Sequence, residues 1–274
     1  MKRFMQWVIV AAMICGFGGF TSCSDDKDSV SDRLGEKIIG GWITADRNGK
    51  PLMTNEKAVY TFVADVKAYL SVSLNIDPDI PNVWMATAAA DVVIRDNKMT
   101  LTSHPDKNTT VVEELTVTAI NASEFTANQK VTFTYNGVTS NSDEGIIRFT
   151  SVTTDYNDPI LGLWECQSIT GGETNNDDNG RLEFLDNGSY RFYRMTTGGE
   201  WQAVTTREFQ NYFVDGTLLA TRWKDVGEQE MREWWEIVSI SDDQMQWTAL
   251  RQNDNGSTFQ QGVTWKKVKI SPAE

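Results

Sequence analysis

The chain has 274 residues, 40% hydrophobic and 23% charged, and a formal net charge of −13, which allows two domains that each close a core of their own. So acidic a surface repels phosphate backbones and excludes nucleic acid as a partner. Of three cysteines, Cys15 lies in the apolar N-terminal run and Cys23 at its end, so Cys166 alone is left in the folded body; with one histidine, His104, there is no material for a disulfide framework, a cysteine-based zinc site or a histidine-rich metal site. The lone histidine equally excludes a Ser-His-Asp triad or a histidine base in the second half, and no cofactor is expected.

The chain opens with Lys2 and Arg3, then an almost wholly apolar run from Trp7 to Phe20, then Phe20-Thr21-Ser22-Cys23. Residues 1–22 read as a secretory signal, too short and wrongly flanked to span a membrane. The end of this run resembles the lipobox of bacterial lipoproteins, although Phe20 stands where that motif usually has leucine. The resemblance implies that Cys23 is lipidated and becomes the first residue of the mature chain. The membrane is then a partner through an acyl anchor, each buried methylene contributing about 0.8 kcal/mol.

Residues 23–36, which include the polar acidic Ser24-Asp25-Asp26-Lys27-Asp28-Ser29, lack any hydrophobic period and read as a disordered tether. The tract is similar to the acidic export signal of surface lipoproteins in one phylum of Gram-negative bacteria, which implies the cell surface; a generic solvated linker is the alternative. Asp28-Ser29-Val30 resembles that group's O-glycosylation site.

From Ile38 onward the pattern is β. Runs at Ala58 to Phe62, Ala68 to Ser73, Lys98 to Thr102, Glu114 to Ile120 and Ile146 to Val152 are predicted strands, with turns at Asp96-Asn97 and Asn136-Gly137. The second half holds eight, beginning at Gly162, Arg181, Tyr190, Thr205, Thr217, Glu233, Gln244 and Gly262, with hairpin signals at Asn187-Gly188, Asp215-Gly216 and Asn255-Gly256. No amphipathic helix of useful length is predicted.

The halves repeat. Ile38-Ile39-Gly40-Gly41-Trp42 recurs 122 residues later as Ile160-Leu161-Gly162-Leu163-Trp164, Phe62 pairs with Phe184 at the same offset, Ile120 with Ile240 at 120, and Phe149 with Trp265 at 116. Small loop insertions produce such a drift. The expected organisation is a first module over 37–153, a linker over 154–158 and a second module over 159–270. Antiparallel strands that must hide their edges close most simply into up-and-down barrels. Glycine would admit the first strand to the barrel end by close backbone approach, and the tryptophan on the next inward position would plug it.

Gly40-Gly41-Trp42 and Gly162-Leu163-Trp164 each resemble the Gly-x-Trp motif that opens the barrel of the bacterial lipocalin-like family. The resemblance covers nearly all of Ile38 to Val268 and implies tandem lipocalin-like barrels. Each module is shorter than a full lipocalin and lacks the helix that follows the barrel, so a small or absent cavity is expected. Thr154-Asp155-Tyr156 spells the family's second motif, but at the domain junction, where it has no such role.

Candidate chemistry is sparse. Cys166, two residues after Trp164, shares its strand face and reads as a buried, inert thiol. Glu183, Glu230, Glu233 and Glu236 offer the two acids a glycosidase needs, but solvated strand faces are the plainer reading and no catalysis is expected. Asn175-Asn176-Asp177-Asp178-Asn179-Gly180 with Asp186 partly imitates a calcium loop; a polar turn is the preferred reading. Of ten tryptophans, seven follow residue 160. Trp234 and Trp235 are adjacent, so one faces inward and one outward, and with Trp201 and Trp223 they are the ligand-binding candidates. The expected activity is non-catalytic binding of a small apolar molecule or a glycan by an outer-membrane lipoprotein. The rival is an accessory subunit that uses solid barrels to dock an envelope protein.

Overall fold

The computed structural model describes residues 34–64, 67–74, 83–171 and 180–269. The signal, Cys23, most of the tether and Asn175 to Asn179 lie outside them. The expected tether ends sooner than Glu36: Leu34–Lys37 form a short helix, α1, whose Leu34 is buried in the first core.

The first module has strands β1 (Gly40–Arg47), β2 (Lys50–Pro51), β3 (Val59–Val63), β4 (Lys67–Leu74), β5 (Val83–Arg95), β6 (Lys98–Asp106), β7 (Thr109–Ile120), β8 (Glu124–Tyr135) and β9 (Val138–Val152). Each pairs antiparallel with its neighbour in an up-and-down order, and β1 pairs with both β3 and β9. The sheet is therefore a closed barrel in which β2 is only a two-residue extension. β5 and β8 were not among the predicted strands, and His104 sits on strand β6.

The second module has β10 (Gly162–Thr170), β11 (Gly180–Phe184), β12 (Tyr190–Met195), β13 (Trp201–Ala203), β14 (Arg207–Asp215), β15 (Leu218–Asp225), β16 (Glu230–Ile240), β17 (Gln244–Gln252) and β18 (Thr258–Lys267). Its described residues form nine strands where eight were expected, β13 being the addition. It is also a half-barrel, since among the described residues the backbones bordering β12 and β14 bond only at the Ser189–Asn211 bridge and through the Tyr212 N–H to the Gly188 carbonyl at 2.9 Å.

The repeat is visible in the register. Gly40 pairs with Phe62 and Gly162 with Phe184; Ile120 pairs with Phe125 and Ile240 with Met245. A bulge after Thr44 recurs after Cys166, and one after Val117 recurs after Ile237. In both modules the motif tryptophan is buried and its indole donates 2.7 Å to a carbonyl four residues earlier, Trp42 to Ile38 and Trp164 to Ile160. The motif glycines have φ of 127° at Gly40 and 111° at Gly162. A β-carbon on Gly40 would meet nothing within 4 Å. At Gly40 the backbone conformation alone requires glycine and at Gly162 a β-carbon would meet only the flexible end of Lys267 at 3.3 Å, whereas the close approach expected falls at Gly41, where a β-carbon would lie 3.1 Å from the Val152 carbonyl oxygen.

The modules pack through their outer faces. Ile43 and Val59 of the barrel meet Phe213, Leu218 and Ala220, with Trp84, Val152 and Trp234 packed around them. Trp84 lies 5.1 Å from the Phe213 ring, and the guanidinium of Arg222 sits 4.9 Å above it. Polar contacts frame this seam: Lys57 to Glu236 at 2.5 Å, the Leu250 N–H to Thr54 Oγ1 at 2.8 Å, and Ser71 donating to the half-buried Asp215 carboxylate.

The paired indole bonds predict a specific cost. Trp164→Phe keeps a ring in the core but strands the Ile160 carbonyl, so it should lower unfolding free energy by about 1–3 kcal/mol, and Trp42→Phe should do the same in the first module. Urea denaturation checks this; a loss no larger than that of Trp201→Phe on the surface would remove the plug from the account.

Candidate functional site

The half-barrel interior gathers the aromatic residues. Trp223 and Trp235 line a pocket of about 270 Å³ together with Trp247, Trp265, Tyr190 and Phe192. The Trp235 and Trp247 rings are 5.7 Å apart, and those of Trp247 and Trp265 are 4.8 Å apart. Cys166 is buried on the same wall, as its spacing from Trp164 requires.

Arg207 crosses the open side between β12 and β14. Its guanidinium lies 5.2 Å from the Phe192 ring and 5.1 Å from Trp223, donates 3.1 Å to Gln210 and stands 3.7 Å from Asp225. Burial makes it easier to deprotonate than a free arginine. Gln210 also accepts the Phe192 N–H at 3.1 Å, so these two side chains stopper the gap that the backbone leaves. The indole nitrogens of Trp247 and Trp265 are buried without a hydrogen-bond partner.

The other candidates lie elsewhere. Trp201 is on the outer face, under the Arg181 guanidinium at 4.2 Å. Trp234 points to the module seam, where it borders an open groove of about 750 Å³ with Met53, Arg232 and Phe259. Of the adjacent pair, Trp235 alone faces the pocket. The four glutamates do not converge: Glu183 binds Arg191 and Tyr193, Glu230 binds Arg232, Glu236 binds Lys57, and Glu233 accepts from Trp235 at 3.3 Å. Gly180 begins β11, so the calcium-like run meets a strand where a calcium loop would continue. His104 is exposed and its Nδ1 is 3.1 Å from Thr110 Oγ1. Among the described residues no group of three His, Cys, Asp or Glu is placed to hold a metal ion.

A larger interior lies in the first barrel. Above a floor of stacked rings, Trp42 edge-on to Phe125 at 5.0 Å and Phe125 stacked on Phe149 at 4.2 Å, a cavity of about 510 Å³ opens, walled by Leu70, Val111, Val131, Phe133 and Ile147 among others. Into this mostly apolar space project Tyr60, Glu113 and Gln129, each no more than 6% exposed. Tyr60 donates to the Glu113 carboxylate, 3.0 Å from Oε2 and 3.1 Å from Oε1, and Gln129 Nε2 donates to Oε1 at 2.6 Å. Arg47 reaches Gln129 Oε1 at 3.4 Å and pairs with Glu144 at 2.8 Å.

Burial pushes the Glu113 carboxyl from an ordinary value of 4.5 up to about 7, against the opposing pull of its Gln129 and Tyr60 hydrogen bonds and of the Arg47 charge. Burial, and then the neighbouring carboxylate, raise Tyr60 well above a free phenol. This cluster is absent from the sequence prediction. The signal was available in strand parity: Glu113, Leu115 and Val117 share one face of β7, so an acid stands in line with two buried aliphatics.

No family model matches the chain, and no curated protein matches it. Among solved structures it is similar to a protein of unknown function from the DUF3598 family of Nostoc punctiforme PCC 73102, at 12% identity over 88% of this chain and 100% of that one, with a TM-score of 0.23. It is also similar to a candidate outer membrane protein of Bacteroides fragilis NCTC 9343, at 9% identity over 86% and 100%, with a TM-score of 0.21. A third similarity is to a tryptophan-to-alanine mutant of the vaccine antigen transferrin-binding protein B from Haemophilus parasuis Hp5, at 10% identity over 84% and 76%, with a TM-score of 0.23. Likenesses this distant say nothing of what the chain binds.

Glu113 gives the fold a pH dependence of definite sign. Its pKa is raised on folding, so the folded state holds the extra proton between about pH 4.5 and about pH 7. Stability therefore falls as pH rises through that window and levels off above it, by about 3 kcal/mol in all. Glu113→Gln should flatten this slope in urea titrations at about pH 5 and about pH 8 and raise stability at the higher value. An unchanged slope would mean that Glu113 is ionised in the folded protein throughout.

Proposed function

We propose that this is a lipid-anchored protein of the bacterial outer membrane that holds a small, partly apolar molecule, without catalysis, in the lumen of its first barrel. The observation that carries the reading is the cavity of about 510 Å³ in the closed barrel, within the range that buries small ligands. It is mostly apolar with a few convergent polar groups, as a site that both accepts and orients a molecule requires.

This reading puts the ligand in the first module and not among the tryptophans of the second, where the sequence led us to expect it. The pocket containing Trp223 and Trp235 is about half as large and is partly filled by Arg207. The accessory-subunit alternative calls for solid, side-chain-filled barrels, and the open lumen favours the binding reading over it. The address rests on residues outside those the structure describes: the basic Lys2 and Arg3, the apolar run and Cys23 support an acyl anchor, and the acidic tract after Cys23 supports an outward-facing position at the cell surface.

Two experiments test these parts separately. Native mass spectrometry of the protein extracted from its own membrane should show an added small mass. Val131→Trp, which fills the lumen, should abolish it, while Trp223→Ala and Trp235→Ala should leave it in place. Loss of the added mass on changing either tryptophan, but not Val131, would return the site to the half-barrel. Cys23→Ala should move the protein from the membrane fraction to the soluble envelope fraction, and retention in the membrane would end the lipoprotein reading.

A further inference from the structure

The lumen holds an imbalance of charge. Its charged lining groups are Arg47 of β1, Glu56 of the 3-10 turn Thr54–Glu56, Glu113 of β7 and Glu144 of β9. Arg47 is already matched by Glu144 at 2.8 Å, and Glu56 accepts the Met53 N–H at 2.9 Å on the rim. Glu113, the deepest of these groups at 5% exposed, is bonded only by neutral donors, the Tyr60 hydroxyl of β3 and the Gln129 amide of β8. The described lining of β4 and β6 contributes Leu70, Ser103 and Pro105, none of them charged, and His104 does not line the space.

A carboxylate removed from water needs a cation within hydrogen-bonding distance, or it takes up a proton. Among the described lining residues the one cation, Arg47, pairs with Glu144 and reaches Gln129 but makes no bond to Glu113, and room for a ligand lies beside the carboxyl. From this placement, and resting on the lumen as the binding site, we infer that the first barrel is selective for an organic ammonium ion carried on an apolar chain, with Glu113 as its counter-ion. The ammonium meets Glu113 deep in the barrel and its chain lies along Leu70, Val131 and Phe133. The acidic rim at Glu56 and the net charge of −13 draw cations toward the mouth.

The rival for the same carboxyl is a neutral ligand. A protonated Glu113 would donate a hydrogen bond to a carbonyl or hydroxyl group, and the two readings differ in the sign of their pH dependence. Because burial holds Glu113 near neutrality, with a pKa of about 7, raising the pH ionises it and strengthens ammonium binding while weakening a neutral acceptor's.

The test uses octylammonium, octanol and octanoate, which share one chain, titrated calorimetrically into the chain carrying Cys23→Ala, whose substitution removes the acyl-acceptor thiol. At about pH 8.5 octylammonium should bind at least about ten-fold more tightly than either other probe, and its affinity should fall by about ten-fold at about pH 5.5. Glu113→Gln should erase both differences while octanol binding persists. Equal affinities for octylammonium and octanol, an affinity for octylammonium that falls as pH rises, or an octylammonium preference unchanged by Glu113→Gln would overturn the inference and leave the lumen reading standing. If none of the three binds, the lumen reading fails and the inference falls with it. The pH profile of the unsubstituted Glu113 site decides the question even if the Gln variant folds poorly.

Discussion

Closure of the strand circuit is the constraint from which the two interiors differ. In both modules the strand bearing the Gly-x-Trp motif pairs on both sides, β1 with β3 and β9, β10 with β11 and β18. The shared motif therefore secures the same seam twice, and the modules diverge on the far side. In the first, hydrogen bonding runs unbroken around the wall and no side chain is needed to seal it, so the interior can stay open. In the second, β12 and β14 separate after one bridge, and the edge must be blunted by other means. Arg207 and Gln210 fill the gap, and the space they take comes out of the pocket. The cavity of about 510 Å³ and the pocket of about 270 Å³ follow from one difference in backbone pairing.

Period-two alternation and turn chemistry made the architecture legible, because both act over a few residues. Offsets of 122, 120 and 116 residues located equivalent positions that the register then paired identically. Failure of closure in the second module was not legible, since it depends on which distant edges meet. The strands missed, β5 and β8, carry polar residues or run through Ala88-Ala89-Ala90, where strand propensity is weak. The candidate site was hidden too. The predicted strand at Glu114 to Ile120 begins one residue after Glu113, so the acid was never placed on the inward face that Leu115 and Val117 share. Conversely, tryptophan count drew the eye to the second half, where Trp201 and Trp234 prove to cover an arginine and a domain seam.

An acid at an inward position is a departure from the pattern that a stable barrel prefers. An apolar residue in place of Glu113 would avoid burying a carboxyl, and Phe125, Ala127 and Phe133 show that β8, alongside, follows the apolar rule except at Gln129. The two exceptions are diagonal neighbours on the β7–β8 pair, where Gln129 stands opposite Leu115 and Glu113 opposite Val131; Gln129 donates to Glu113 at 2.6 Å, and Tyr60 completes them from β3. Local violations that support one another and border a cavity are where function is expected to outweigh stability.

The half-barrel also has a part in that site without lining it. The turn Thr54–Glu56 forms a lip of the lumen through Glu56, and a turn this short has little internal structure to hold its place. The second module supplies that support: the Leu250 N–H binds Thr54 Oγ1, which is buried, and Glu236 grips Lys57 just beyond the turn. The outer-face seam of Ile43, Val59, Phe213 and Leu218 anchors these contacts in apolar packing. A repeated module that does not close, and has the smaller interior, thus sets the rim of its neighbour's cavity. The repeat has become asymmetric, with one copy enclosing the cavity and the other bracing its mouth.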